Sequence, residues 1–184
     1  MNSVAVPVSE DDSQERLQRL ESLAGRLLDA CCAQGASQAE VSCSEERGLS
    51  VGVRMGEVET VESTRDRGIA VTVYFGQRKG SASTADLRES SLEATVAQAC
   101  AIARFTEDDP AAGLADAALM ARPGADGWPD FDDWHPWALD AGRAVDIALA
   151  CEAAGRDSDA RIGNSDGASV STSASTCDNT AAKS

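Results

Sequence analysis

The stretch Ile69-Ala70-Val71-Thr72-Val73-Tyr74-Phe75 decides the fold class. Every second residue in it is large and apolar, which is the period of a strand with one face toward a core and the other toward solvent. The preceding Asp66-Arg67-Gly68 predicts a turn, and the following Gly76-Gln77-Arg78-Lys79-Gly80 predicts a hairpin turn. Since short turns join only antiparallel neighbours, this strand belongs to an antiparallel sheet.

The same alternation extends outward in both directions along the chain. Apolar residues recur at every second position in segments 39–43 and 49–55, and a further strand is predicted from Val58 to Glu62. Met55-Gly56-Glu57 predicts a tight turn, and residues 81–84 predict a short strand of small side chains. These segments together predict an antiparallel meander.

Two helices are predicted to cover the apolar face of the meander. Residues 13–34 carry an apolar stripe at helical spacing, with Ser13 as a possible cap and Gly35 where a helix ends. Residues 87–105 carry a second stripe, with a capping box at Ser90 and Glu93 or, alternatively, a cap at Asp86. Residues 13–105 are therefore predicted to form a two-layer α+β domain.

The rest of the chain is predicted to be less complete. Residues 1–12 are expected to be a mobile lead-in, and residues 106–139 a connector that contains prolines and tryptophans. A helix at about 140–155 and a strand-turn-strand at 161–170 predict the incomplete start of a second α/β segment. No large apolar residue follows Val170, so 171–184 is expected to be a disordered tail, or an aberrant end of a truncated or frame-shifted piece.

Composition limits the classes of partner and the compartment. The chain has 31 acidic and 16 basic residues and a net charge of -15, which disfavours nucleic-acid binding. It contains no run approaching the roughly 20 apolar residues of a membrane span, and the start has no basic, apolar signal pattern. We expect a cytoplasmic protein with no nucleic-acid or membrane partner.

The six cysteines show neither disulfide nor metal spacing. They contain no C-x-x-C pair, and Cys31, Cys100 and Cys151 fall inside helical patterns, where cysteine acts as a small hydrophobe.

Four other features are candidate sites. His135 is the single histidine and cannot form a two-histidine metal helix. Gly76 to Ser81 has the wrong spacing for a phosphate loop, and Asn164 to Gly167 offers too few carboxylates for calcium. Glu57, Glu59 and Glu62 have the pattern of solvated strand residues. The sequence thus predicts no catalytic, cofactor-binding or metal-binding residue in this chain.

A series of short motifs in order resembles the TldD/PmbA family of metalloproteases, whose older name is modulators of DNA gyrase. The motifs are 67–74 (RGIAVTVY), 78–87 (RKGSASTADL), 106–116 (TEDDPAAGLAD), 135–137 (HPW) and 161–167 (RIGNSDG). Ser81 favours the PmbA (TldE) branch. The resemblance covers about residues 15–170, the amino-terminal part of a family member.

The resemblance implies a subunit of a cytosolic protease that acts on peptides or unfolded protein segments, with roles in peptide maturation. It places zinc in a TldD-type partner subunit, so no cofactor and no catalytic residue carries over to this chain. Gly68, Gly80 and Asp86 are expected to shape the domain. Two alternatives stay open: a stand-alone module that binds extended peptides at a sheet edge, and a non-functional truncated product.

Overall fold

The computed structural model describes residues 10–116, 118–120, 129 and 131–183. In these ranges the chain forms three helices and one sheet, with the elements α1 (Glu10–Ala33), β1 (Gln38–Arg54), β2 (Glu57–Phe75), β3 (Arg78–Thr84), α2 (Glu89–Phe105), α3 (Ala141–Arg156) and β4 (Ala168–Lys183). The four strands are antiparallel, in the order β3-β2-β1-β4. The predicted α+β class is confirmed. No helix in the described part of the chain is long and apolar enough to cross a membrane.

The turns of the meander form where residues adopt left-handed backbone. Met55 and Gly56 join β1 to β2 with φ values of 54° and 82°, the conformation that a two-residue hairpin loop requires. Gly76 has φ 65° in the loop between β2 and β3. The register of β2 and β3 runs from Ile69 opposite Thr84 to Phe75 opposite Arg78.

One predicted turn is wrong. Asp66-Arg67-Gly68 lies inside β2, which continues without a break from Glu57 to Phe75. The segments predicted as strands at 39–43 and 49–55 likewise form one strand, β1. Turn-prone residues stay extended here because β2 is hydrogen-bonded to its neighbour β1, and such context overrides local preference.

The chain divides into two compact units, and the first, the α1–α2 unit, comprises the described residues of 15–44, 67–135 and 177–183. The α1 stripe and the apolar side of α2 pack on alternate residues of β1 and β2. Its core contains Leu20, Ala24, Leu27, Leu28, Cys31, Ala39, Val41, Cys43, Ile69, Val71, Val73, Leu92, Val96, Ala99, Cys100 and Ala103. Each Val or Leu so buried contributes roughly 1.5–3 kcal/mol relative to an exposed side chain.

The second, the α3 unit, comprises described residues 10–14, 45–66 and 136–176. Its core consists of Leu49, Val51 and Val53 from β1 with Leu139, Ala144 and Ala148. The segment predicted as the incomplete start of a second α/β segment therefore has a core, because part of β1, which was predicted for the amino-terminal domain, packs against α3. Asp140 caps α3 by accepting a hydrogen bond from the Arg143 amide at 2.8 Å.

The prediction of a disordered tail at 171–184 is wrong for residues 171–183, which belong to β4. Even-numbered side chains of β4 are half-buried from Ala168 to Ala182, and odd-numbered ones are exposed. Ala168 and Val170 pack on the core of the α3 unit, and Ala182 packs on that of the α1–α2 unit. Small side chains suffice because backbone pairing, rather than a large apolar face, defines an edge strand.

Helix ends also differ from expectation. The helix α1 begins at Glu10, so residues 10–12 are not part of a mobile lead-in; residues 1–9 lie outside the described ranges. Helix α2 begins after Arg88, which makes no side-chain capping bond, so the capping box of Ser90 and Glu93 does not form. Parts of the predicted connector, at 117, 121–128 and 130, also fall outside the described residues.

Candidate functional site

Glu152 fastens α3 to the β1–β2 turn inside the α3 unit. Its side chain accepts hydrogen bonds from the backbone amides of Met55 at 2.6 Å and Gly56 at 2.8 Å, and the residue is only 5% exposed. The Gly56 amide chiefly lowers the pKa of Glu152 below its ordinary 4.5, helped by the Ser165 hydroxyl, the Met55 amide and Arg156, against desolvation. A carboxylate whose oxygens are occupied by turn amides is structural, not a general base.

Sequence reasoning missed Glu152. The sequence does contain one indication of its burial: Glu152 lies four positions after Ala148, on the same buried face of α3. Its partners are nearly a hundred residues away in the sequence, so the pattern alone could mark it as unusual but could not identify its role.

Gly80 is where β3 passes directly against α2 in the α1–α2 unit. A Cβ atom at this position would lie 2.3 Å from the Ala99 carbonyl oxygen and 2.4 Å from the Ala103 nitrogen. Both are backbone atoms, so only a residue without a side chain fits. This geometry supports the expectation that Gly80 shapes the domain.

Asp86 binds residues on both sides of the start of α2. Its carboxylate accepts hydrogen bonds from the Arg88 amide at 3.0 Å and the Ser91 hydroxyl at 2.7 Å, and it pairs with the Arg88 guanidinium at 2.5 Å. The Arg88 side chain, then its amide, then Ser91 lower the pKa of Asp86 well below its ordinary range. Asp86 makes these hydrogen bonds without being the N-cap, which is Arg88, so the alternative cap predicted at Asp86 does not form.

The uncovered face of the sheet in the α1–α2 unit is lined by small polar side chains. One shallow groove of about 410 Å³ includes Ser42, Ser44 and Gly68, and another of about 230 Å³ includes Glu40 and Thr72. Gly68 fits closely, since a Cβ there would lie 3.1 Å from the Ser44 hydroxyl oxygen. These hydroxyl and amide groups can hydrogen-bond a ligand, but they contain no positioned nucleophile with a base.

The edge of β2 in the α3 unit is open. Pairing with β3 begins at Ile69, and every residue from Glu57 to Arg67 is exposed. Val58 and Val61 retain 45% and 51% of their surface. We call residues 57–66 the β2 edge; among the described residues, no strand pairs with it on the side away from β1.

The candidate site residues from the sequence lie apart from one another in the structure. His135 is exposed, and its Nε2 lies 2.7 Å from the carbonyl oxygen of Asp132 in its own loop. Residues 76–77 form the β2–β3 loop, and in the 164–167 segment the Gly167 amide donates to the Ser165 hydroxyl. The acidic residues Glu57, Glu59 and Glu62 all lie exposed on the β2 edge.

The cysteines are free thiols. Burial is the largest effect that raises the pKa of Cys31 to about 12 and that of Cys43 to about 11. Such thiols stay protonated at neutral pH and act as core side chains, because the thiolate is the nucleophile and metal ligand.

A zinc site does not fit the residues that the structure describes. Within those ranges, no three His, Cys, Asp or Glu side chains come together as metal ligands. Zinc in proteins takes three or four such ligands.

Comparison with known proteins defines the class. Residues 39–103 match the family model described as PmbA/TldA metallopeptidase domain 1. This range contains most of β1, all of β2 and β3, and α2 as far as Ala103. Gly80 and Asp86 both lie within it. The chain belongs to the PmbA/TldD family.

The curated relatives are of the PmbA type. A Haemophilus influenzae protein named metalloprotease PmbA homolog is 41% identical over 152 residues, which are 83% of this chain and 33% of the relative. The Escherichia coli O157:H7 metalloprotease PmbA is 39% identical over 163 residues, 88% of this chain and 34% of the relative. The chain thus spans about a third of the length of these relatives.

Solved structures share the fold. A protein described as a modulator of DNA gyrase from Bacteroides thetaiotaomicron has a TM-score of 0.64 at 21% identity, covering 94% of this chain and 36% of the other. TldE from Thermococcus kodakarensis has a TM-score of 0.58 at 13% identity, covering 89% of this chain and 34% of the other. At these identities the likeness concerns the fold alone.

Proposed function

We propose that this chain supplies the first domain of a PmbA-type subunit in a cytoplasmic TldD/PmbA-type protease complex. The observation that carries the proposal is the 41% identity to a metalloprotease PmbA homolog over 83% of the chain. The substrates would be peptides or unfolded protein segments, with peptide maturation among the roles.

In this complex, a TldD-type partner that holds zinc would carry out the hydrolysis. Hydrolysis of a peptide at neutral pH needs an activated nucleophile or a metal-bound water. Among the described residues, Cys31 and Cys43 are buried thiols that stay protonated, His135 contacts its own loop, and no cluster of metal ligands forms. The contribution of this chain would be an α+β scaffold that binds its partner.

A peptidase assay on an unstructured peptide tests the proposal in three arms: this chain alone, a TldD-type protein from the same source alone, and the two mixed. We expect no cleavage by this chain alone, and chelator-sensitive cleavage by the mixture that exceeds that of the TldD-type protein alone. Co-elution on size exclusion measures partner binding without reference to activity. The matched control is the mixture made with the Val71→Asp variant, which should lose both effects if the fold is required.

Chelator-sensitive cleavage by this chain alone would overturn the assignment of catalysis to the partner. A mixture that neither co-elutes nor gains activity would overturn the complex.

A further inference from the structure

The β2 edge carries an ordered charge pattern on one side of the strand. Because side chains alternate, Glu57, Glu59, Val61, Ser63 and Arg65 lie on one face of it. The five exposed residues of this face therefore run from acidic through neutral to basic. The opposite face carries Val58, Thr60, Glu62, Thr64 and Asp66, and it has no basic residue.

Such a pattern is complementary to itself when the strand is reversed. In an antiparallel pair centred on Glu62, each residue lies opposite the one whose number brings the sum to 124. Glu59 then faces Arg65 of the second strand, and by symmetry the pair occurs twice. Thr60 faces Thr64 twice, and opposite-charge and Thr–Thr cross-strand pairs both stabilise a sheet.

We propose that the β2 edge pairs antiparallel with the same edge of a second copy of this chain, in the register that places Glu62 on the two-fold axis. A two-fold contact of identical surfaces is the commonest way for a protein to associate with itself. The exposed backbone of residues 57–66 would then gain hydrogen-bond partners, and the exposed Val58 and Val61 would come under cover of the added strand. This inference does not depend on the proposed function.

Charge favours this register. It also places Glu57 opposite Arg67, so four opposite-charge contacts form, whereas a shift of the pairing by two residues leaves only two, Glu57 opposite Arg65 or Glu59 opposite Arg67. The one like-charge contact in the proposed register is Glu62 against its own copy, since like charges directly opposite are destabilising. This contact makes the association weak and reversible, and it identifies a substitution that should strengthen it.

The net charge of -15 on each copy opposes association at long range. At about 0.15 M salt the screening length is about 8 Å, so contacts between opposed side chains persist while the repulsion of whole molecules is largely screened. Association should be measured near that ionic strength.

The first experiment is sedimentation equilibrium of the chain over a concentration series. We expect a monomer–dimer equilibrium that Glu59→Arg or Arg65→Glu weakens by about tenfold or more, because each reversal turns two attractive contacts into repulsive ones. The double variant Glu59→Arg/Arg65→Glu restores opposite charges across the pair and should dimerise like the unmodified chain. Glu62→Gln should strengthen the dimer.

A second experiment locates the axis through a crosslink. In a background with the exposed thiols removed (Cys151→Ser/Cys177→Ser), Glu62→Cys should form an intermolecular disulfide on mild oxidation. Directly opposed residues in a sheet have Cα atoms about 4.5–5.5 Å apart, within disulfide reach. The matched control Thr60→Cys lies about 13 Å from its own copy in this register and should not crosslink.

A chain that stays monomeric throughout the concentration series overturns the proposal, as does a dimer that neither charge reversal weakens. A double reversal that fails to restore association, or equal crosslinking at positions 60 and 62, overturns the register. If the monomeric chain instead binds an extended peptide at residues 57–66, the occupant of the edge is a peptide and the second-copy proposal is wrong.

Discussion

Glu152 binds the backbone of Met55 through a 2.6 Å hydrogen bond, which joins the third helix to a hairpin turn 97 residues earlier in the chain. The second carboxylate oxygen binds the Gly56 amide at 2.8 Å. One side chain therefore satisfies both amides of a two-residue turn, and it fixes that turn against α3 in the α3 unit.

Substitution at Glu152 should destabilise the α3 unit. Glu152→Ala leaves the amides of Met55 and Gly56 without their acceptor, and it should lower the thermal unfolding midpoint more than Glu152→Gln, which retains one acceptor oxygen. Asp146→Asn, at an exposed acid on the same helix, is the matched control and should leave the midpoint unchanged. Equal midpoints for all three variants would contradict this role of Glu152.

The same residue predicts a pH dependence. Because the pKa of Glu152 is lowered on folding from its ordinary 4.5, its contribution to stability is present above about pH 4.5 and is lost as pH falls through the lower folded value. Unfolding by denaturant should therefore show a smaller loss of stability from pH 6 to pH 3 in Glu152→Gln than in the unmodified chain. Parallel pH profiles for the two proteins would show that this carboxylate is not linked to folding.

Local periodicity in the sequence predicted most elements of the fold. The alternation around Val71 and the stripes of α1 and α2 are set by which side chains must leave water, so they appear as period two and period 3.6. The α3 stripe was found for the same reason. The helices that these stripes predict agree with the structure to within about three residues.

Long-range backbone pairing was not predictable. The strand β4 has no large apolar residue beyond Val170, and Asp66-Arg67-Gly68 has turn composition, yet both are extended beside a neighbouring strand. Glu152 was missed because the amides it binds become neighbours only in the folded chain. The exposed β2 edge was likewise not identified, since sequence shows alternation but not which edges remain unpaired.

Val71 tests the core of the α1–α2 unit. It is fully buried, so Val71→Asp places an unpaired charge in an apolar interior and should cost about 4 kcal/mol or more, enough to unfold a marginal domain. The matched control is Ala70→Asp, because Ala70 is the exposed neighbour on the opposite face of β2. Chemical denaturation followed by far-ultraviolet circular dichroism measures both, and a folded Val71→Asp variant of unchanged stability would contradict the assigned core.

Gly80 tests the contact of β3 with α2. Gly80→Ala forces the Ala99 and Ala103 backbone to move, and overpacking of this kind typically costs about 1–3 kcal/mol. Gly25→Ala is the opposite case, because a Cβ there meets no atom of the described residues within 4 Å and α1 gains helix propensity worth about 0.5–1 kcal/mol. Denaturant midpoints should thus move in opposite directions, and a neutral Gly80→Ala would contradict the close approach.

The last prediction concerns the order of strand β4, which amide hydrogen exchange measures. An edge strand in an antiparallel sheet directs every second amide to its neighbour and the others outward. Amides between Ala168 and Lys183 should therefore alternate between slow and fast exchange, while those of 163–166, outside any strand, should exchange rapidly. Small side chains give β4 little stability beyond this pairing, so its slow amides should exchange faster than those near Val71. Uniformly rapid exchange across 168–183 would instead support the disordered tail that composition alone predicts, whereas alternating protection would show that backbone pairing orders a segment without large apolar side chains.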